Sequence, residues 1–234
     1  MPHIIGARLL KSDVSATIYF EFFFLAWRDT TMTRVSFTKF LDFSASNGEP
    51  KAEAALSAWR QSNTPYDPVR DYHKRMREAL KTTERSGLNP DWPAFISGQA
   101  PKKQANFSDT VEKYSAWRDG YEAVTWFEPP RANWSSTEFH VVVNPELGLV
   151  LDGQRHAIKI FLNRKPLSRL KAQVGGLMMH QALAQAAPGC HFSIFDVKAE
   201  TFHTFNGATE KLQYLLIGEA AHMSAIISAV RNVA

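Results

Sequence analysis

Apolar residues recur along this chain at two spacings, and the change between them divides it. In the N-terminal half the spacing is helical. Ser36 is a good N-cap, followed by Phe37, Phe40 and Leu41, and Asn47-Gly48 ends that turn. Pro50 suits the first position of a second helix with Ala54, Ala55, Ala58 and Trp59 on one side. Pro65-Tyr66-Asp67-Pro68 then punctuates. Asp67 caps and Pro68 opens a third helix that ends at Ser86-Gly87, with Val69, Tyr72, Met76, Ala79, Leu80 and Thr83 as its buried face. A loop-rich stretch runs through Pro90, Pro93, Gly98 and Pro101. Asp109 to Glu112 has the form of a capping box, starting a helix that carries Tyr114, Trp117 and Arg118 and stops at Gly120.

The C-terminal half alternates instead. Phe139 to Val143 is β-branched and apolar. Leu147 to Leu151, Asp152-Gly153 and Gln154 to Leu162 predict a β-hairpin, because Asp-Gly favours a two-residue type I′ turn. A long helix follows from Pro166 to Ala187, then a strand from His191 to Lys198, with Thr201 to Phe205 continuing it or forming another. Asn206 or Thr209 caps a last helix running to about Arg231. The expected class is α+β: a helical N-terminal half and a C-terminal β-hairpin–helix–strand–helix core with a small mixed sheet. Glu128-Pro129-Pro130 marks the boundary between a helical region, 32–130, and an α+β core, 131–234, the two forming one compact unit.

Composition narrows the class. Of 234 residues, 44% are hydrophobic and 21% charged, enough apolar surface for a real core and against general disorder. The single cysteine, Cys190, excludes an intrachain disulfide and fits a reducing, cytoplasmic compartment. Ala16 to Trp27 is an apolar run broken by Glu21, too short for a membrane span. Arg28 and Asp29 follow it where a signal-peptide cleavage site would stand. Residues 1–31 therefore read as an extension, either preceding a true start at Met32 or packing on the body as an accessory element. No membrane partner is expected. None of the histidines falls at metal-ligand spacing, and Cys190 and His191, adjacent on a strand, point to opposite faces. Gly175-Gly176 inside a helical pattern suggests close packing of another element.

Candidate chemistry concentrates on the hairpin. With Asp152-Gly153 as the turn, opposed residues have numbers that sum to 305, so Glu146 faces Lys159 and Gly148 faces Ala157. Leu147, Leu149, Leu151, Ile158 and Ile160 line the core face. A carboxylate and an ammonium beside two small residues fit either a site or a cross-strand salt bridge. Around them the charge is basic. Arg155, Lys159, Arg164, Lys165, Arg169 and Lys171 occur with no acid between Arg155 and Lys171. Arg70, Lys74, Arg77 and Lys81 form a stripe on the third helix. Both sets are candidates for anion or nucleic-acid binding, or solvated surface, and the net charge of +4 permits a polyanionic partner without demanding one. Asp196-Val197-Lys198 reads as a charged pair at a strand end.

The order helix, hairpin with an acid on its first strand and a lysine on its second, helix, strand resembles the core of the PD-(D/E)xK nuclease superfamily over residues 108 to 198. The resemblance implies that Glu146, in Asn144-Pro145-Glu146, is the first-strand acid holding Mg²⁺ or Mn²⁺. It implies that Lys159 is the lysine positioning the attacking water. The chain departs from the pattern at the acid two residues before the lysine, which is Ala157; Glu112, Glu122 and Glu138 are candidates for a second carboxylate, among which spacing alone does not choose. Asn144 to Leu149 also resembles segments of bacterial proteins, a likeness that implies no activity. Two functions follow as expectations: a non-catalytic binding or assembly module, whose last helix carries a wide apolar face for packing either internally or against a second copy, or a metal-dependent nuclease or nuclease remnant that binds nucleic acid.

Overall fold

The computed structural model describes residues 32–64, 71–88, 90–163 and 165–233. The extension 1–31, the Pro65–Arg70 punctuation with Arg70, and Arg164 lie outside the described residues.

The chain enters through β1 (Thr33–Ser36), α1 (Phe37–Ala45), α2 (Gly48–Ser62), α3 (Lys74–Ser86), α4 (Trp92–Ser97) and α5 (Pro101–Arg118). Then come β2 (Val124–Trp126), β3 (Ala132–Ser135), β4 (Phe139–Val143), β5 (Leu147–Leu151) and β6 (Gln154–Phe161). It closes with α6 (Arg169–Leu183), β7 (His191–Asp196), β8 (Thr201–Thr204) and α7 (Glu210–Val233). This is an α+β fold with two mixed sheets, one of order β1-β4-β3 and one of order β2-β5-β6-β7-β8.

The five-stranded sheet is the middle layer. Leu147, Leu149, Leu151, Ile158 and Ile160 face Met76 and Leu80 of α3 and Phe107, Val111 and Tyr114 of α5. On the other side Ala157, Phe161, Phe192 and Ile194 join a second core with α1, α6, α7 and the three-stranded sheet. The hairpin forms in the register its turn dictates: Leu147 opposes Ile158, Gly148 opposes Ala157 and Leu151 opposes Gln154. Asp152 (φ 47°) and Gly153 (φ 86°) both take left-handed backbone, as a type I′ turn requires. From β6 the chain crosses through α6 to β7, which pairs parallel to β6. The twin glycines of α6 make that crossover close. A Cβ on Gly175 would stand 2.6 Å from Leu41 and 2.7 Å from Ile194, and one on Gly176 would stand 2.8 Å from Phe205.

Several local expectations shift. Helix α3 begins at Lys74 rather than Pro68 and ends, as read, on Gly87 in left-handed conformation (φ 66°). Helix α5 begins at Pro101, not at Asp109. Proline is well suited to a first helical turn, and Asp109 instead pairs with Lys198 at 2.5 Å and Lys113 at 3.3 Å from inside the helix. Strands β1, β2 and β3 are four residues or fewer and were not visible as alternation. Asp196 and Lys198 do not pair. Asp196 is fully buried and accepts from the Leu167 and Ala199 N–H groups at 2.7 and 3.1 Å, capping the chain on either side of β7.

Two glycines give opposite expectations in urea unfolding. A Cβ at Gly148 would lie 2.2 Å from the Phe127 carbonyl oxygen, which is backbone and cannot step aside. Gly148→Ala should lower stability by about 2 kcal/mol or more. Gly218, inside α7, has nothing within 4 Å of its would-be Cβ, so Gly218→Ala should raise stability by up to about 1 kcal/mol.

Candidate functional site: the Glu146–Lys159 cluster

The β5–β6 ladder begins at Leu147, opposite Ile158. That leaves the Ile160 N–H of β6 beyond the end of the pairing. Glu146 fills the gap: its Oε2 accepts from Ile160 N at 2.9 Å. Its Oε1 takes the Lys159 ammonium at 2.5 Å, and Arg77 Nε of α3 stands 3.6 Å from the same oxygen. Arg77 continues to Asp71 at 2.5 Å. The pair is enclosed, with the Lys159 side chain 3% exposed and that of Glu146 11%. The lysine ammonium also lies 5.9 Å over the Phe37 ring.

The expected shallow floor beside this pair is absent. Gly148 is covered by Phe127, whose backbone carbonyl sits where a side chain would begin, and Ala157 is fully buried in the core. The cluster instead contains a carboxylate that sequence reading missed. Asp42 of α1 accepts a hydrogen bond from the Asn163 amide just past β6 and feels the charges of Lys39 and Lys159. Burial outweighs those favourable partners and raises its pKa to about 6. Nothing local flags Asp42: it lies in α1, more than a hundred residues from Asn163 in sequence. Of the acids considered as substitutes for Ala157, Glu138 is bound by Arg231 at 2.6 Å, and Glu112 and Glu122 are exposed.

The donor set does not suit a divalent metal. Both oxygens of Glu146 already face cations or an N–H, and Mg²⁺ would have to displace an ammonium and a guanidinium to reach them. Among the described residues, no three His, Cys, Asp or Glu side chains gather as a metal would need.

The basic residues do not make one surface. Arg77 is taken by Asp71 and Glu146, Lys81 pairs with Glu128 at 3.3 Å, and Lys74 is half-buried at the start of α3. Lys171 pairs with Glu219, which also takes Lys51 at 2.6 Å, joining α2, α6 and α7 through one carboxylate. Arg155 lies by the hairpin turn with its guanidinium 4.4 Å from the Phe127 ring centre. Lys165 and Arg169, both exposed, lie past the opposite end of β6, about 20 Å away by the rise of a strand. Among the histidines, His156 is buried against His191 at 5.1 Å and bonds Ser193 at 3.0 Å. Burial lowers its pKa to about 4, and that of His73 likewise. Burial pushes the Cys190 thiol up, away from reactive thiolate.

Two outcomes follow from this geometry. Glu146→Gln leaves the Lys159 ammonium enclosed without its counter-charge and should cost about 3 kcal/mol in urea unfolding. Glu146→Leu combined with Lys159→Met should recover most of that loss. A loss below about 0.5 kcal/mol for the single change would show a solvent-screened pair. For Asp42 the sign runs the other way. Its folded pKa of about 6 lies above the ordinary 3.8, so the folded state holds the proton more tightly than the unfolded chain. This contribution is most favourable below pH 3.8 and is lost as pH rises toward 6. His73 and His156, held near 4, contribute stability above pH 6.5 that is lost as pH falls, and they do so in wild type and variant alike. Asp42→Asn should therefore be more stable than wild type at pH 7, by about 1–2 kcal/mol, with the difference closing between pH 6 and 4.

No protein-family model matches the chain, and a search of curated proteins finds no match to it.

Proposed function

We propose that this protein is a non-catalytic binding or assembly module, working in a reducing compartment such as the cytoplasm. The observation that carries the reading is the saturation of Glu146: an ammonium, a guanidinium and a backbone N–H occupy the oxygens that chemistry would need free. A buried, fully partnered ion pair of this kind fixes register and packing and leaves no open ligand position on the carboxylate. Its neighbour Asp42 is engaged with Asn163 and shielded from solvent in the same way. Among the described residues no helix is long and apolar enough to cross a membrane.

Assembly with a second copy belongs to this reading. The inner face of α7, with Leu212, Leu216, Ala220, Met223 and Ile227, is used up in the core. Tyr214 and Ile217 remain 62% exposed on its outer side, and they are what a self-association through this helix would use.

A second reading, a nuclease or nuclease remnant, is supported by the order β5–β6 hairpin, α6, β7, with β7 parallel to β6, although β2, β3 and β4 stand between α5 and the hairpin. The two readings part in one assay: cleavage of single- and double-stranded DNA and RNA with Mg²⁺ or Mn²⁺. The binding-module reading expects no metal-dependent cleavage by wild type or by Glu146→Gln. Cleavage by wild type that Glu146→Gln abolishes, in a variant still folded by circular dichroism, would replace it with the nuclease reading. Salt-sensitive binding without cleavage, weakened by Lys165→Ala with Arg169→Ala, would mark a remnant.

A further inference from the structure

Two cations without an acid among the described residues, Arg75 and Lys103, line a different part of the molecule from the Glu146–Lys159 pair. Between α3, α4 and the start of α5 lies a trough of about 850 Å³, within the range of pockets that hold small molecules. Its floor is apolar, formed by Ala79, Trp92 and Phe95. Asp91 caps α4 by accepting from Ala94 N at 2.9 Å, and this turn of helix holds the two rings edge to face, 5.8 Å apart. The far side of Phe95 stacks on Phe107 at 6.2 Å, which fixes the floor to α5. The Gln99 side chain locks the end of α4 by donating to the Phe95 carbonyl at 2.9 Å.

The lining carries positive charge that no carboxylate among the described residues neutralises. Arg75 is exposed and donates only a long hydrogen bond, 3.5 Å, to Gln99. Lys103 donates to the Tyr72 carbonyl at 3.2 Å and lies 4.7 Å over the Tyr72 ring. Neither has a carboxylate partner among the described residues. Of the rim acids, Asp71 is held by Arg77, which leaves Glu78. A smaller trough of about 480 Å³ is lined by Glu78 and by Arg85, another exposed cation with no carboxylate partner among the described residues.

An apolar aromatic floor beside unneutralised cations is complementary to a ligand that carries both a flat ring and an anion. We propose that this trough binds a small planar aromatic anion of the nucleotide monophosphate class. The ring lies against Trp92, and the phosphate is met by Arg75 and Lys103. Base-on-indole stacking supplies contact area that tolerates different bases, and a guanidinium matches phosphate oxygens two at a time. The inference names a ligand for the binding reading above and rests on that reading for the absence of turnover.

The test is calorimetric titration of the full chain with adenosine 5′-monophosphate, adenosine and inorganic phosphate as separate probes. Saturable binding of the monophosphate is expected, at least tenfold tighter than either part alone and weaker at higher salt. Arg75→Glu, a change at an exposed position, should weaken it more than tenfold without altering the unfolding midpoint. Trp92→Ala should weaken it about fivefold to a hundredfold, the span of base-stacking energies, with Trp92→Phe in between. Arg155→Ala, at the hairpin turn, should leave it unchanged. The proposal is overturned by no saturable monophosphate binding at millimolar concentration. It is also overturned by phosphate alone binding as tightly, by binding indifferent to Arg75→Glu, or by an oligonucleotide binding where the monophosphate does not. Absent binding with absent cleavage would leave the assembly reading in place, whereas hydrolysis of the phosphate ester would overturn the non-catalytic reading itself.

Discussion

Strand β6 is covered on both faces, and every polar side chain on its inner stretch has to be answered from within the protein. From His156 to Phe161 every residue is buried. A lysine in such a strand faces a desolvation cost of several kcal/mol unless a carboxylate meets it. Lys159 is met by Glu146, which stands one residue before the start of the β5–β6 ladder. His156 is met by Ser193 on the next strand and stays neutral. The same enclosure draws α3 to the sheet, since Arg77 reaches the Glu146 carboxylate from a helix whose Met76 and Leu80 pack beside the hairpin. One doubly covered strand thus sets the partners of the cluster, which the hairpin register had left open between a site and a cross-strand salt bridge.

The hairpin was legible because its information is local. Two residues fix the turn, the turn fixes the register, and the register places Glu146 against Lys159. The helix ends at Gly87 and the cap at Ser36 were legible for the same reason. What the sequence did not disclose depends on contacts far apart in the chain. A strand as short as β1 has no periodicity to read; it is a strand because β4, a hundred residues later, pairs with it. Helix α5 hid its true start because Pro101 followed other breakers and looked like one more of them. Asp42 could not be recognised as a partner of the hairpin without the packing of α1 on the β6–α6 connection.

Charge shows the same division. A run of cations in sequence is a patch only if the fold keeps it together, and here β6 holds Arg155 apart from Lys165 and Arg169. A stripe on a helix is an open surface only if no acid reaches it, and Arg77 and Lys81 are reached. Lys171 looked like part of a basic surface and is instead one arm of a bridge that ties α6 to α2 through Glu219 on α7.

The resemblance to a nuclease core and the saturation of its acid are therefore compatible. Topology depends on the order of helices and strands and on buried apolar positions, none of which requires a particular residue at 157. With Ala157 rather than an acid beside it, Glu146 meets no carboxylate repulsion from that position, and a lone carboxylate next to a lysine does best by drawing in further cations. Arg77 supplies one from α3. Once a guanidinium sits where a metal would have to approach, the cluster works for the fold. Among the described residues, cations without acids remain elsewhere, along the aromatic trough beside α3.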